Sequence, residues 1–180
     1  MSRRLIERIR NHDQRAMSEL YRQYVGRLTS VCYRYVPSED DVKDVLQNSF
    51  IKIFTSLESF EYRDEPSLEG WMVKVVVNEA LHFLRDRKRL HFTDIHEADC
   101  PPIADDELDT DSITADELHQ LISDLPDGYR TVVNLYVFED YSHKEIAQTL
   151  GIQPTTSASQ LYHAKRLLAE RIKELMNQRR

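Results

Sequence analysis

Apolar residues recur every three or four positions along most of this chain, which is the spacing of amphipathic helices rather than strands. Up to residue 91 the pattern predicts four helices, at about 3–12, 13–35, 39–56 and 68–88, with a loop over 57–67. The β-branched run at 73–77 would also suit a strand, but strongly helix-forming residues follow it without a turn signal. Helices are predicted again at about 114–123 and 126–139, and a further pair follows them.

The final pair of helices is predicted to form a helix-turn-helix, with a plain helical hairpin as the alternative. Ser142 and Glu145 have the spacing of a capping box, Gly151 suits the turn, and Pro154 fits the first turn of the second helix. We expect that second helix to expose polar and basic side chains to DNA bases and phosphates. These candidate contacts are Thr155, Thr156, Ser157, Ser159, Gln160, His163, Lys165 and Arg166.

Charge divides the chain into three parts. The net charge is −7, yet ten acidic residues and no Lys or Arg lie between Phe92 and Glu117, so the flanking parts are mildly basic. The acidic segment contains Pro101-Pro102 and shows no helical period until about Thr114. It is typical of a linker between domains. The sequence therefore predicts an all-α protein with two small helical domains, 1–91 and 114–180, joined by an acidic flexible linker over 92–113.

Several classes of protein are disfavoured by the sequence. No apolar run approaches the ~20 residues that span a bilayer, and the first ten residues lack the apolar core of a signal peptide. We therefore expect a cytoplasmic protein without membrane insertion. His91, His96 and Cys100 match no closed zinc pattern, and no phosphate-binding glycine loop or catalytic triad spacing is present. We predict no metal, no cofactor and no enzyme activity.

The fourth predicted helix carries a candidate surface for nucleic acid. Polar and basic residues follow one another at helical spacing, and aromatic residues on which unstacked bases could pack lie at its start and in the preceding loop. The alternative is that Trp71 belongs to the core and that the basic end complements the helix dipole. The stripe consists of Lys74, Asn78, His82, Arg85 and Arg89, and the loop and helix start add Phe60, Tyr62, Arg63 and Trp71.

The third predicted helix carries a polar stripe opposite its apolar face. Asp41, Asp44, Gln47 and Asn48 recur at spacings of three and four. A solvated face is the ordinary explanation for such a stripe. A protein-docking face is the sharper one, because Gln and Asn bring no evident capping benefit at these positions.

Three motifs, in order and at matching separations, resemble bacterial RNA polymerase sigma factors of the compact extracytoplasmic-function group. Residues 41–50, DVKDVLQNSF, are similar to the helix that docks on the clamp helices of the largest polymerase subunit. Residues 71–78, WMVKVVVN, are similar to the start of the helix that engages the minus-ten element. Leu125-Pro126, Arg130 and the helix-turn-helix resemble the domain that reads the minus-thirty-five element.

The resemblance implies a binding protein whose partners are core RNA polymerase and promoter DNA, and it allows for an anti-sigma factor. It implies that the loop before the fourth helix captures an unstacked base of the nontemplate strand, and that the acidic linker runs near the template channel. The chain departs from the family at Lys74, Ala158, Gln160 and His163, where Arg or Lys is common. The alternatives are a dimeric helix-turn-helix regulator with an N-terminal sensing domain, and a helical adaptor that binds only proteins.

Overall fold

The computed structural model describes residues 3–87, 90 and 113–179. These residues form helices and no strand, and the chain divides into two compact units, residues 1–87 and 88–180. The all-helical prediction is therefore confirmed. The predicted linker lies outside the described residues except at residue 113, and His91, His96, Cys100 and Arg89 lie outside them as well.

The first unit consists of α1 (Arg3–Arg10), α2 (Gln14–Tyr35), α3 (Glu39–Ser56) and α4 (Glu65–Asp86). Helices α2, α3 and α4 pack against one another, and α1 packs on α2. Asp13 caps α2, since its carboxylate accepts hydrogen bonds from the backbone N–H groups of Arg15 at 2.9 Å and Ala16 at 3.2 Å. Ser38 caps α3 in the same way. The predicted bounds of these helices agree with the structure to within two residues, except at the start of α4.

Helix α4 begins three residues earlier than its apolar period predicts. Asp64 is the N-cap, and its carboxylate accepts a hydrogen bond from the Ser67 backbone N–H at 2.8 Å. The Ser67 hydroxyl oxygen accepts a hydrogen bond from the Asp64 backbone N–H in turn. Pro66 occupies the first turn, where its missing N–H costs no hydrogen bond. Residues 73–77 lie inside this helix, so the strand alternative is wrong.

The second unit consists of α5 (Ala115–Ser123), α6 (Asp127–Val133), α7 (His143–Leu150) and α8 (Pro154–Gln178). The predicted helix over 126–139 does not continue as a single α-helix. Residues Asn134–Phe138 widen into a π-helical segment, in which the Glu139 N–H donates to the Asn134 carbonyl at 3.1 Å. Helix α8 packs on α5, α6 and α7.

The predicted helix-turn-helix is confirmed in its local details. Ser142 and Glu145 form the reciprocal capping box at the start of α7, and Pro154 lies in the first turn of α8. Gly151 ends α7 with φ of 70°, in the left-handed region that glycine adopts without a steric penalty. The N–H groups of Gly151 and Ile152 both donate to the Ala147 carbonyl, at 2.9 and 3.1 Å, and this closes the turn.

A buried guanidinium anchors the turn between α5 and α6. Arg130 is 2% exposed, and its Nη1 donates to the carbonyls of Leu125 at 2.8 Å and Ser123 at 3.1 Å. It also pairs with Asp127. Arg130 therefore ties the turn between α5 and α6 to the body of α6.

Among the described helices, none combines the length and the apolar character that crossing a bilayer requires.

Candidate functional site

The polar stripe of α3 is exposed except at its first residue. Asp44, Gln47 and Asn48 are exposed, as predicted. Asp41 is only 8% exposed, and its carboxylate lies 3.2 Å from Nη1 of Arg87, just past the end of α4. The prediction that Asp41 belongs to an exposed stripe is therefore wrong, because that carboxylate joins α3 to the end of α4 within the unit.

An apolar groove runs beside this stripe. It lies between α2 and α3 and encloses about 570 Å³. Gln47 lines both the stripe and the groove, and Ile51 and Tyr21 on the groove wall are 55% and 45% exposed. Exposed side chains of this size suit a protein contact better than solvent. Neither residue is among the predicted contacts, although Ile51 is an apolar residue on the polar side of α3.

The polar face of α4 is exposed along the described part of the helix. Lys74, Asn78, His82 and Arg85 all reach solvent, as their spacing predicts. His82 Nδ1 lies 3.1 Å from a carboxylate oxygen of Asp86, one turn further on, so this ring has a partner on the same helix. The surface can offer the amide of Asn78 and the basic side chains of Lys74 and Arg85 to a nucleic-acid strand.

The loop before α4 carries aromatic residues, and a residue far from it in the sequence anchors it. The rings of Phe60 and Trp71 stack, with centroids 4.6 Å apart and planes at 28°, and both are partly exposed. Arg10, on α1, donates from Nε to the Leu57 carbonyl at 3.2 Å and from Nη2 to the Phe60 carbonyl. This anchor was missed in the sequence because nothing local links residues 10 and 60.

Tyr62 and Arg63 complete the loop surface. Tyr62 is partly exposed and Arg63 is exposed, with Arg63 Nη2 3.9 Å from the Glu61 carboxylate. An ion pair of that length between exposed groups contributes little, so the guanidinium can turn to another partner. Of the predicted loop residues, Phe60 lies against Trp71, and Tyr62 and Arg63 follow it just before the start of α4.

The first turns of α8 differ from the prediction. Thr155 is exposed, but four of the predicted contacts are buried, with exposed fractions of 5% for Thr156, 0% for Ser157, 5% for Ser159 and 1% for Gln160. The Ser157 hydroxyl lies 3.0 Å from Nδ1 of His143, and the Ser159 hydroxyl donates to the Thr156 carbonyl at 2.9 Å. The expectation that these four side chains are exposed is wrong.

Other residues of α8 form the surface instead. Thr155, Ala158, Tyr162 and Arg166 follow one another at spacings of three and four, and each is at least partly exposed. Arg166 is paired with Glu170 at 3.2 Å, and Lys165 is partly exposed beside it. His163 is partly exposed and packs between two rings, parallel to Tyr129 and edge-on to Tyr162. Tyr162 was not among the predicted contacts, although its spacing from Thr155 was readable.

His143 is a residue of this region whose ionisation depends on the fold. It opens α7, its ring stacks on Tyr136 with centroids 4.8 Å apart, and it bonds to Ser157. Burial lowers the pKa of His143, and the charge of Lys165 lowers it further. The fold therefore favours the neutral imidazole where His143 joins the two helices of the motif.

The arrangement supports binding surfaces. Within residues 3–87, 90 and 113–179 no three His, Cys, Asp or Glu side chains come together as a metal site would require. What the described residues do present is a polar and apolar face on α3, a basic and aromatic face on α4, and a stripe on α8.

Comparison with known proteins assigns both units. Residues 20–90 match the model of sigma-70 region 2, and residues 115–168 match the model of sigma-70 region 4. The ECF RNA polymerase sigma-E factor of Haemophilus influenzae is 28% identical, over 96% of this chain and 95% of that protein. The ECF RNA polymerase sigma factor SigW of Bacillus subtilis is 25% identical, over 97% of this chain and 98% of that protein.

A solved structure shows the same fold. The sigma factor RpoE of Bartonella quintana, determined in complex with the anti-sigma factor NepR, matches with a TM-score of 0.50 and 19% identity. The match covers 87% of this chain and 96% of that one. The two region models match one after the other along the chain, and the relatives align over nearly its whole length. The chain belongs to the extracytoplasmic-function group of RNA polymerase sigma factors.

Proposed function

We propose that the two units of this sigma factor have different roles. The first docks on the polymerase and opens the promoter, and the second recognises the upstream promoter element. The unit containing α1–α4 would dock on the clamp helices of the largest polymerase subunit through α3, and engage the minus-ten element through α4. The unit containing α5–α8 would read the minus-thirty-five element through α8. The acidic segment 92–113 would link them and run near the template channel. The protein then acts by binding rather than catalysis, in the cytoplasm where transcription takes place.

The docking proposal rests on the composition of the α3 surface. Asp44, Gln47 and Asn48 supply charge and amide groups, and the adjoining groove supplies apolar area around Ile51. A central apolar contact with polar groups beside it is the usual anatomy of a protein interface. Asp41 is left out of this surface because it is engaged with Arg87. An anti-sigma factor, which the Bartonella quintana relative binds, is a further proposed partner.

The opening proposal rests on α4 and the loop before it. Trp71, Phe60 and Tyr62 offer aromatic surface, Asn78 offers donors and an acceptor, and Lys74 and Arg85 offer charge to phosphates. Stacking of a base on an aromatic side chain is worth about 1–3 kcal/mol, which offsets the few kcal/mol needed to unstack and unpair it. Capture of a flipped nontemplate base by this surface would stabilise the melted promoter.

One experiment on paired variants tests both halves of the proposal. The double variant Asp44→Ala/Gln47→Ala should weaken binding to core polymerase by a few kcal/mol, as truncations in the centre of an interface do. Asn78→Ala should bind core polymerase normally and reduce permanganate reactivity of the unpaired thymines at the minus-ten element. Ser56→Ala, at the exposed end of α3 and away from the stripe, is the matched control for both assays.

The pattern of results decides the assignment. Unchanged polymerase affinity in the double variant would remove α3 from the docking surface. Normal promoter melting by Asn78→Ala would remove Asn78 from the opened-strand site. A wild-type protein that neither co-purifies with core polymerase nor supports promoter-dependent transcription would overturn the proposal as a whole.

A further inference from the structure

The outward stripe of α8 has an unusual chemistry for a helix that faces DNA. Thr155, Ala158 and Tyr162 lie on one side of the helix, and over seven residues they span about 10 Å along its axis. That length corresponds to about three stacked base pairs at ~3.4 Å each. Among these three side chains, which precede Arg166 on the stripe, no amide, guanidinium or ammonium group is present.

The groups that normally make paired hydrogen bonds to bases are withdrawn or lie elsewhere. Gln160, the amide in the first two turns of α8, is 1% exposed. The hydroxyls of Ser157 and Ser159 are engaged with His143 and with the Thr156 carbonyl. Lys165 and Arg166 come two turns or more after Thr155, where a helix leaving the groove meets phosphates. The stripe therefore lacks the residue types that select guanine or adenine by two hydrogen bonds.

What remains on the stripe is a methyl group on Ala158, a methyl and a hydroxyl on Thr155, and the ring of Tyr162. In the major groove the base feature that fits such side chains is the C5-methyl group of thymine, since alanine, threonine methyl and aromatic groups make apolar contact with it. We propose that this protein selects its upstream element mainly by thymine methyl contacts to Ala158, Thr155 and Tyr162. The inference rests on the proposed placement of α8 in the major groove.

The test removes the methyl group and nothing else. A promoter library randomised upstream of a fixed minus-ten element is transcribed by core polymerase carrying the full chain, and the enriched upstream sequence is determined. Each enriched thymine is then replaced with deoxyuridine, which keeps the hydrogen-bonding edge and lacks the C5-methyl group. We expect thymine to be enriched, and holoenzyme affinity to fall about four-fold for each contacted methyl removed, which corresponds to ~0.8 kcal/mol.

Variants locate the contact. Ala158→Gly should abolish the sensitivity to deoxyuridine at one position. Ala158→Gln keeps a helix-forming residue and adds an amide, so it should move the preference at that same position from thymine to adenine. Arg166→Ala should weaken all promoters alike and keep the deoxyuridine effect at every position, because a phosphate contact does not distinguish bases.

The outcomes separate this inference from the proposed function. If the holoenzyme initiates transcription but binds thymine and deoxyuridine promoters equally, methyl selection is wrong and the sigma factor assignment stands. Enrichment of guanine in place of thymine, with no shift in preference in Ala158→Gln, overturns it as well. A chain that does not support initiation at all would overturn both.

Discussion

At the scale of single residues, the first two carboxylates of the α3 stripe have the same chemistry and different environments. Asp41 is almost buried against Arg87, whereas Asp44 is exposed, and only the tertiary structure distinguishes them. The sequence places both on one helical face. It cannot show that the chain just past α4 brings a guanidinium to the first of them.

Replacing each carboxylate by its amide should separate stability from binding. Asp41→Asn should lower the free energy of unfolding by about 1 kcal/mol, since one partner of the ion pair is buried and the other is half exposed. Asp44→Asn should change it by less than about 0.5 kcal/mol. Urea unfolding measures both. A stable Asp41→Asn protein with reduced polymerase affinity would return Asp41 to the docking surface.

His143 gives the second unit a pH dependence with a definite sign. Because burial and Lys165 lower its pKa in the folded unit, the unfolded chain binds a proton more readily there. The contribution of His143 to the stability of the second unit should be fully present above the ordinary histidine pKa of about 6.5. It should be lost as the pH falls from that value toward the lowered pKa. Below the lowered pKa the contribution should level off.

The measurement is the melting temperature of the second unit at about pH 7.5 and about pH 5.5. The wild-type protein should melt lower at the acidic pH, and His143→Gln should reduce that difference. His163→Gln is the control, because its ring packs against Tyr129 and Tyr162 at a different site and should leave the His143 contribution in place. An undiminished pH effect in His143→Gln would contradict the assignment.

At the scale of elements, local signals predict most of the helices and their caps. The residues that begin and end α7 could be named from the sequence because each acts through its own backbone: Ser142 and Glu145 as a capping box, Gly151 through its positive φ. The start of α4 was misplaced, although Asp64, Pro66 and Ser67 form a complete start signal. The π-helical segment was not predictable, since its wide turn depends on packing against other helices.

The burial of the α8 residues was predictable in part. The apolar face of α8 includes Leu161 and Ala164, and the position four residues before each of them is Ser157 and Gln160. Continuing the helical period toward the N-terminus would have placed both on the inner face. The polar side chains of Ser157 and Gln160 instead suggest exposure. The resemblance to sigma factors, by contrast, was sufficient to predict the family.

The turn between α7 and α8 provides an element-scale prediction. Gly151→Ala should destabilise the second unit by about 1 kcal/mol, because a residue with a side chain is strained at φ of 70° even where open space surrounds its Cβ. Gly26→Ala, in the middle of α2 with open space around an added Cβ, should stabilise the first unit by about 0.5–1 kcal/mol. Thermal unfolding of both variants measures whether each substitution lowers or raises the stability of its unit. A neutral Gly151→Ala would show that the turn relaxes to another conformation.

At the scale of the whole molecule, the negative net charge disfavours the proposed binding to DNA. The chain carries −7 overall, while its proposed DNA surfaces on α4 and α8 are polar or mildly basic. Few phosphates can be neutralised by so few cations, so affinity of the free chain for DNA must be low. Two weak modules held on one polymerase gain from effective concentration.

The free protein should therefore bind a promoter duplex with a dissociation constant above about 1 μM at physiological salt. The same probe with core polymerase added should bind far more tightly. Fluorescence anisotropy over a salt series measures both, and a non-promoter duplex is the control. Nanomolar, sequence-selective binding by the protein alone would instead favour a conventional helix-turn-helix regulator.

The π-helical segment has an evolutionary consequence. Its i to i+5 turn accommodates one more residue than an α-helical turn, between α6 and the helix-turn-helix. Deleting one residue there would let α6 continue as a regular helix and would leave the direction of the chain after it nearly unchanged, because the wide turn is what takes up the extra residue. A deletion of one residue inside α7 would instead rotate the rest of that helix by about 100°. Loss of a residue in the π-helical segment should therefore be tolerated better by selection than loss of a residue in α7.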